Sequence, residues 1–466
     1  MNRKVSILLA ALAFSGLLFF SCQKPEVPED PEEQEQPQQP EEPQEPEEIQ
    51  PVTATVEVNQ NWVFYDGKPV FLVHVVNPNK SEVTANVLVR IITDKKKEYT
   101  SFTKSAQVPG DSEVVIEASP EEKIPAGFYK VRIFVNDKSA RTFFFGVDPT
   151  EIVSAPDMQD DFTQFWADAL AELESVEMKD SLILIPSKSN ASAKVYMVEM
   201  QSVADGPGTE PAVIHGYYVE PQDGKKHPVL MHYYGYDDLK NILKTFCPTG
   251  NGKFAEFYLS TRGQIINNRT ADKREDGIDI DFTNTYGDWF AFNFGKRDAY
   301  YYRGAFMDCV QGIRFMATRE TSDMDNVFAE GKSQGGAFSY AAAALSPYPL
   351  RAIAPGVAFL GDFPDYFSIV DWPANVAKEN QGSMSNEEMY AFLSYFDTKN
   401  LATRISCPII ANLGLQDGIC PPHTNMAPFN NALSTDKEMH YYPNMGHEIP
   451  KDWESKYTKF FNARVK

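Results

Sequence analysis

Between residues 51 and 147 apolar and polar positions alternate along short runs. These are "TATVEVNQNWVFYDG", "KPVFLVHVVNP", "TANVLVRIITD", "SEVVIEAS", "GFYKVRIFVND" and "ARTFFFGV". A period of two in runs rich in β-branched and aromatic residues predicts strands. Asp66-Gly67, Asn77-Pro78 and Asn136-Asp137 punctuate them as turns. About a hundred residues with this spacing predict an immunoglobulin-like β-sandwich, read here as a spacer whose aromatic side chains, Trp62 and Tyr65 included, are core rather than a sugar-stacking face. From residue 148 the period changes. Phe162, Phe165, Trp166, Ala169, Leu170 and Leu173 recur at helical spacing. Strand-like runs then alternate with helical ones to residue 466: "AVIHGYYVEP", "HPVLMHYYG", "KFAEFYLSTRG", "NVFAEG", "RAIAPGVAF", "CPIIANLG" and "EMHYYP" are the strands. That alternation predicts an α/β domain, residues 148–466, with a mainly parallel sheet covered on both faces.

The start of the chain has neither period. Arg3 and Lys4 precede an apolar stretch from Val5 to Phe20 that ends in "FFSC". This predicts a lipoprotein signal over residues 1–21, with Cys22 as the lipidated first residue of an exported cell-envelope protein. Residues 22–50 form a tether of prolines and acids with no aromatic residue, unable to bury apolar surface. At about 3.1 Å per residue it reaches on the order of 85 Å. It also carries much of the formal net charge of −22. An acidic chain without basic runs argues against nucleic acid and anionic membrane surfaces as partners. No close CxxC pair and no HExxH run appears, so no metal or other cofactor is expected. Cys407 and Cys420 bracket a strand that holds them roughly 20 Å apart, too far to bridge. Cys247 and Cys309 are left as either a disulfide or buried thiols.

The run "AEGKSQGGAFSY" brings in chemistry. A strand precedes Ser333 and a strong helix former follows it, the setting of a G-x-S-x-G nucleophile elbow in an α/β-hydrolase fold. A serine hydroxyl needs a base, and in this fold the acid and then the histidine follow in chain order. Asp417, after "PIIANLG", and His447, in "YPNMGHEIP", fit that order. His440 sits inside a strand pattern, and His423 follows two prolines. Asp362, Asp365 and Asp371 precede a further helix as caps or surface residues. Backbone N–H groups of Gln334 and Tyr236 are the expected oxyanion donors.

Several stretches together resemble the acetyl xylan esterase and cephalosporin C deacetylase group, carbohydrate esterase family seven. They are Arg262-Gly263-Gln264, Gly331 to Gly336, "YYYRG" at 300–304, "CPIIANLGLQDGICPP" at 407–422 and His447-Glu448. The likeness spans about residues 150–466. It implies a cofactor-free serine esterase acting on O-acetylated sugars, with Ser333, Asp417 and His447 as triad and Tyr236 and Gln334 at the oxyanion hole. It further implies Arg262, Gly263, Gln264 and Glu448 as loop braces, and a ring-like oligomer that an added amino-terminal domain would crowd. Xylan or xylo-oligosaccharide acetates are the expected substrate. A serine peptidase of the same fold and a non-catalytic glycan-binding lipoprotein share parts of the pattern. Ile265 after the RGQ triplet, Lys332 within the elbow and Asp237-Asp238 after Tyr236 depart from the family pattern.

Overall fold

The computed structural model describes residues 49–58, 60–236, 244–245, 248–266 and 286–466. Cys22, the signal and most of the tether lie outside these, as do Asp237, Asp238 and Cys247. Eight strands come first: β1 (Thr53–Val58), β2 (Val63–Phe64), β3 (Phe71–Asn77), β4 (Val83–Thr93), β5 (Glu98–Val108), β6 (Ser112–Ala118), β7 (Gly127–Val135) and β8 (Lys138–Val147). They make a three-stranded sheet, β1-β3-β6, and a five-stranded sheet, β2-β8-β7-β4-β5. The period of two decides what they bury. Ala85, Val87, Val89 and Ile91 of β4 face inward, as do Phe71, Val73 and Val75 of β3. Phe71 packs edge-on against Phe64, Phe143 and Phe145. Trp62 is buried against Phe143 with the Arg141 guanidinium over its ring, so it belongs to the core as expected, whereas Tyr65, read as core beside it, is exposed on the turn that follows β2.

The α/β part contains β9 (Ser181–Leu184), β10 (Ala193–Ala204), β11 (Pro211–Pro221), β12 (His227–Tyr233), β13 (Lys244–Thr245), β14 (Ala255–Ser260), β15 (Ile265–Ile266), β16 (Ser322–Lys332), β17 (Ala352–Gly356), β18 (Ile409–Gly414) and β19 (Lys437–Tyr442). Its helices are α1 (Phe162–Ser175), α2 (Tyr301–Ala317), α3 (Gln334–Leu345), α4 (Phe363–Ile369), α5 (Ala374–Asn380), α6 (Asn386–Leu393), α7 (Thr398–Ala402), α8 (Pro422–Asn431) and α9 (Trp453–Asn462). Nine strands form one sheet in the order β19-β18-β17-β16-β12-β14-β11-β10-β9, and β13 pairs with β15 alone. From β19 to β14 every pair is parallel, whereas β14-β11, β11-β10 and β10-β9 are antiparallel. The mainly parallel sheet therefore carries an antiparallel edge. Between β10 and β11 its physical signal is the short link of residues 205–210, in which Gly206 and Gly208 take positive φ. So short a link joins antiparallel neighbours, while a parallel pair needs a crossover.

Alternation along each strand feeds two faces. Leu230, Phe328 and Ile410 pack with Trp453, Tyr457 and Phe461 of α9. Met231 and Ala329, one residue on, join the larger core with residues of α1, α2 and α3. Cys309, Cys407 and Cys420 are free thiols, as read from sequence for the 407–420 pair. Burial raises the Cys407 thiol to about 12, which makes it inert at neutral pH.

Residues 50–466 form one compact unit, so the sandwich is packed onto the α/β part. His423, at the start of α8, is the centre of that contact. Its Nε2 lies 2.9 Å from Asp365 and 3.5 Å from Asp362, and its Nδ1 lies 3.3 Å from Asp94 of the sandwich. Lys95 pairs with Asp365, and Lys399 Nζ lies 2.8 Å from Asp362. Burial alone would lower the imidazole; the carboxylates of Asp362, Asp365 and Asp94 outweigh it and raise His423 to about 11. The ordinary value is 6.5, so the stabilisation is complete below that pH and is lost as pH rises through 11. Between pH 7 and 10 the unfolding free energy is expected to fall with pH, by up to about 1.4 kcal/mol per unit from this group. Urea unfolding across that range should show the decline, and His423→Gln should flatten it. An equal slope in both proteins would count against the assignment.

Candidate active site

Four loops meet at the carboxyl ends of the parallel strands, following β12, β16, β18 and β19, where open α/β sheets place their sites. Ser333 stands between β16 and α3 with φ 58° and ψ −118°, a conformation rare for a residue with a Cβ. Its backbone is fastened on both sides: its N–H donates to Gly356 O at 2.9 Å, and its carbonyl accepts from Phe359 N at 3.0 Å. The glycines around it are required by space. A Cβ on Gly331 would lie 2.3 Å from Gly335 O, and one on Gly335 would lie 2.1 Å from Tyr233 O. Helix and strand thus approach more closely than any side chain allows, and Ser333 projects from the bend.

The hydroxyl meets its partners. Ser333 Oγ is 2.9 Å from His447 Nε2, and His447 Nδ1 is 2.8 Å from Asp417 Oδ2. The other carboxylate oxygen, Oδ1, accepts from the N–H groups of Ile419 at 2.8 Å and Cys420 at 2.9 Å. Asp417 is buried and held at both oxygens, so it can orient one imidazole tautomer and stabilise its cation. The serine–histidine–aspartate line expected from the sequence is present in space. The rival histidines are elsewhere: His440 pairs with Glu438 on β19, and His423 belongs to the sandwich contact.

Gln334 N is the first backbone donor after Ser333, at the start of α3, whose positive end faces the site. The Gln334 side chain is buried, and its Oε1 accepts from Tyr302 OH at 2.8 Å. The Tyr236 N–H, the other donor expected from the sequence, is oriented by the RGQ triplet. Gln264 Nε2 donates to Gly235 O at 3.1 Å, while its Oε1 accepts from Thr261 N at 3.0 Å. Gly235 C=O and Tyr236 N–H belong to one trans peptide and point opposite ways. Holding the carbonyl therefore turns the Tyr236 N–H away from Gln264. The Tyr236 ring packs among Trp289, Phe359 and Trp372, and its hydroxyl donates to Asp288 at 2.6 Å. Burial first, then Asp288, raises that phenol well above its ordinary value.

Arg262 is wholly enclosed. Its Nε and Nη2 donate to the two oxygens of Asp308 at 3.0 and 2.7 Å, and Nη1 donates to Asp205 at 2.7 Å. Gly263 turns the chain with φ 77°. The "YYYRG" run supplies this assembly residue by residue. Tyr300 OH donates to Phe290 O, Tyr301 OH to Arg262 O and Tyr302 OH to Gln334. Gly304 leaves room for the guanidinium, from which a Cβ would stand 2.2 Å away.

Glu448 departs from expectation. It is exposed, and among the described residues its side chain has no hydrogen bond or ion pair; only its backbone N–H closes a turn onto Gly446 O. The histidine loop is braced instead by Gln416, which the sequence reading missed. Asp308 and Asp205 were missed as well. No local pattern marks these three, since each partner is distant in sequence.

Asp362, Asp365 and His423 bring ligand-type atoms within 4.8 Å of one another. Lys95 and Lys399 already neutralise those carboxylates, and the cluster is an ion-pair network across the sandwich contact. Lys332 is exposed beside the elbow.

The sequence model of the acetyl xylan esterase family matches residues 151–464, about two thirds of the chain. The chain belongs to the acetyl xylan esterase family. The esterase is 25% identical over 340 residues to acetyl esterase Axe7A of Xylanibacter ruminicola, covering 72% of each protein. It resembles acetyl xylan esterase 1 of Thermoanaerobacterium sp., with a TM-score of 0.57, 25% identity, 68% of this chain and 98% of that one. A second solved structure, the acetyl xylan esterase of a Paenibacillus species, gives a TM-score of 0.56 and 26% identity over the same shares. The esterase is thus a serine-dependent carboxylic ester hydrolase of the α/β-hydrolase fold.

Proposed function

We propose that the esterase removes O-acetyl groups from carbohydrates, acetylated xylan or xylo-oligosaccharides above all, with Ser333, His447 and Asp417 as its triad. The observation that carries the reading is the line from Ser333 Oγ through His447 to buried Asp417 on a strained elbow. Ser333 Oγ attacks the acetyl carbonyl carbon as His447 Nε2 takes its proton. The oxyanion accepts from the Gln334 and Tyr236 N–H groups. On collapse the bond to the sugar oxygen breaks, and His447 returns the proton to that oxygen, freeing the alcohol and leaving acetyl-Ser333. Water, deprotonated by His447, repeats the addition and releases acetate. None of these steps uses a metal or an organic cofactor.

Location supports the substrate class. A lipid on Cys22 and an acidic, proline-rich tether would hold the enzyme at the cell envelope, where polysaccharide fragments are met. The names of the two solved relatives point to xylan. The test is acetate release by the full-length esterase from acetylated xylo-oligosaccharides and from 4-nitrophenyl acetate in parallel. Turnover of both is expected. Turnover of the aryl ester alone would keep the esterase and discard xylan as its substrate.

A further inference from the structure

Gln416 immediately precedes the buried Asp417, and its side-chain amide leaves the α/β part to bind the sandwich. Its Oε1 accepts from Phe144 N at 2.9 Å, and its Nε2 donates to Phe144 O at 3.0 Å. Phe144 pairs with Lys130 on one side of β8. On the other side β2 reaches only Gly146 and Val147. The outward N–H and C=O at Phe144 would otherwise be an open edge. Gln416 fills it as a neighbouring strand would. The same Nε2 also donates to Pro443 O at 2.9 Å, and the Gln416 N–H donates to Met445 O at 2.9 Å. Both carbonyls belong to the loop that carries His447. One residue therefore joins three things: the sandwich edge, the acid loop and the histidine loop.

Packing does not do this job. Asp417 and Gly418 line a cavity of about 520 Å³ whose far wall is the sandwich, with Phe128, Phe144 and Pro421 among its lining. A Cβ on Gly418 would meet nothing within 4 Å. The acid loop is thus open on the side that faces the sandwich. Its restraints there are Gln416 at one end and His423, tied to Asp94, at the other.

We propose that Gln416 is a positioning residue, through which the amino-terminal sandwich sets the placement of Asp417 and His447. The sandwich is then part of the catalytic apparatus and not a spacer. This rests on the triad assigned above. A small displacement of a catalytic pair lowers turnover strongly while leaving substrate binding nearly intact.

The test uses the full-length chain and 4-nitrophenyl acetate. Gln416→Met keeps the volume and removes the amide. It is expected to lower kcat about tenfold with KM within about twofold. Gln416→Asn, whose shorter amide reaches fewer of these partners, should fall between it and the wild type, and it is read in its place should the methionine variant not fold. Lys96→Met, which removes the exposed cross-contact to Asp371, serves as the interface control and should match the wild type. Wild-type kcat in both Gln416 variants would overturn the inference, as would an equal loss in Lys96→Met. If the wild type fails to turn over the ester, or Ser333→Ala retains its activity, the triad itself is wrong. That outcome is distinct from the failure of Gln416.

Discussion

Ser333→Ala is expected to lower kcat for 4-nitrophenyl acetate by about 10⁵-fold or more, the scale seen when a serine hydrolase loses its nucleophile. The size follows from geometry. Without Oγ the His447 Nε2 at 2.9 Å has no proton to take and the acetyl group no acceptor, while the oxyanion donors remain. Only the residual catalysis of those donors and of binding survives. The same variant separates nucleophile from general polarity. Wild type should give a burst of 4-nitrophenol and be labelled at Ser333 by a serine-directed phosphonate, and the variant should show neither. A variant that still turned over within tenfold of wild type would make Ser333 a structural elbow and nothing more. Folding is not at issue. The substitution removes one oxygen from a residue whose backbone is held by Gly356 and Phe359.

Asp308→Ala should be the most destabilising of the changes discussed, at about 3–5 kcal/mol, the range for removing one partner of a buried ion pair. Arg262 would keep Asp205 and the Val203 carbonyl. It would lose the two-point grip of Asp308, which also accepts from the Arg262 backbone N–H at 3.0 Å. Urea unfolding of the full-length chain measures the loss. Activity should fall with it, because Arg262 begins the turn that presents Gln264 to Gly235, and so aims the Tyr236 N–H. Replacing both partners by apolar residues, Arg262→Met with Asp308→Leu, should recover part of the stability, since no charge is left in the enclosed pair, and Asp205, partly exposed, keeps the Tyr286 hydroxyl as a donor. A cost below about 1 kcal/mol for Asp308→Ala would mean the guanidinium finds water or Asp205 alone sufficient.

Much of this was readable in one dimension, for reasons that differ by feature. Strand and helix periods are local, so β3, β4 and β7 and helices α1 and α3 stand within a few residues of their expected places. The elbow is local too: its glycines answer contacts made by residues beside them in sequence or on the adjoining strand. The acid and the histidine were found by chain order, which the fold's topology dictates. The two-residue strands and the antiparallel edge of the sheet were less visible. β9 and β10 have weak patterns, and pairing direction is set by link length more than by apolar period.

What the sequence by itself determined is therefore the set of elements, the class of fold and the three residues brought together at Ser333, because each is written in periodicity, turn chemistry or order. What only the tertiary structure decided is how those residues are held. Asp308 reaches Arg262 across 46 positions, Gln416 reaches Phe144 across 272, and Glu448 reaches no side-chain partner among the described residues. Such contacts depend on which strand edge is left open and which cavity lies behind a loop, and neither is a property of any stretch of chain taken alone.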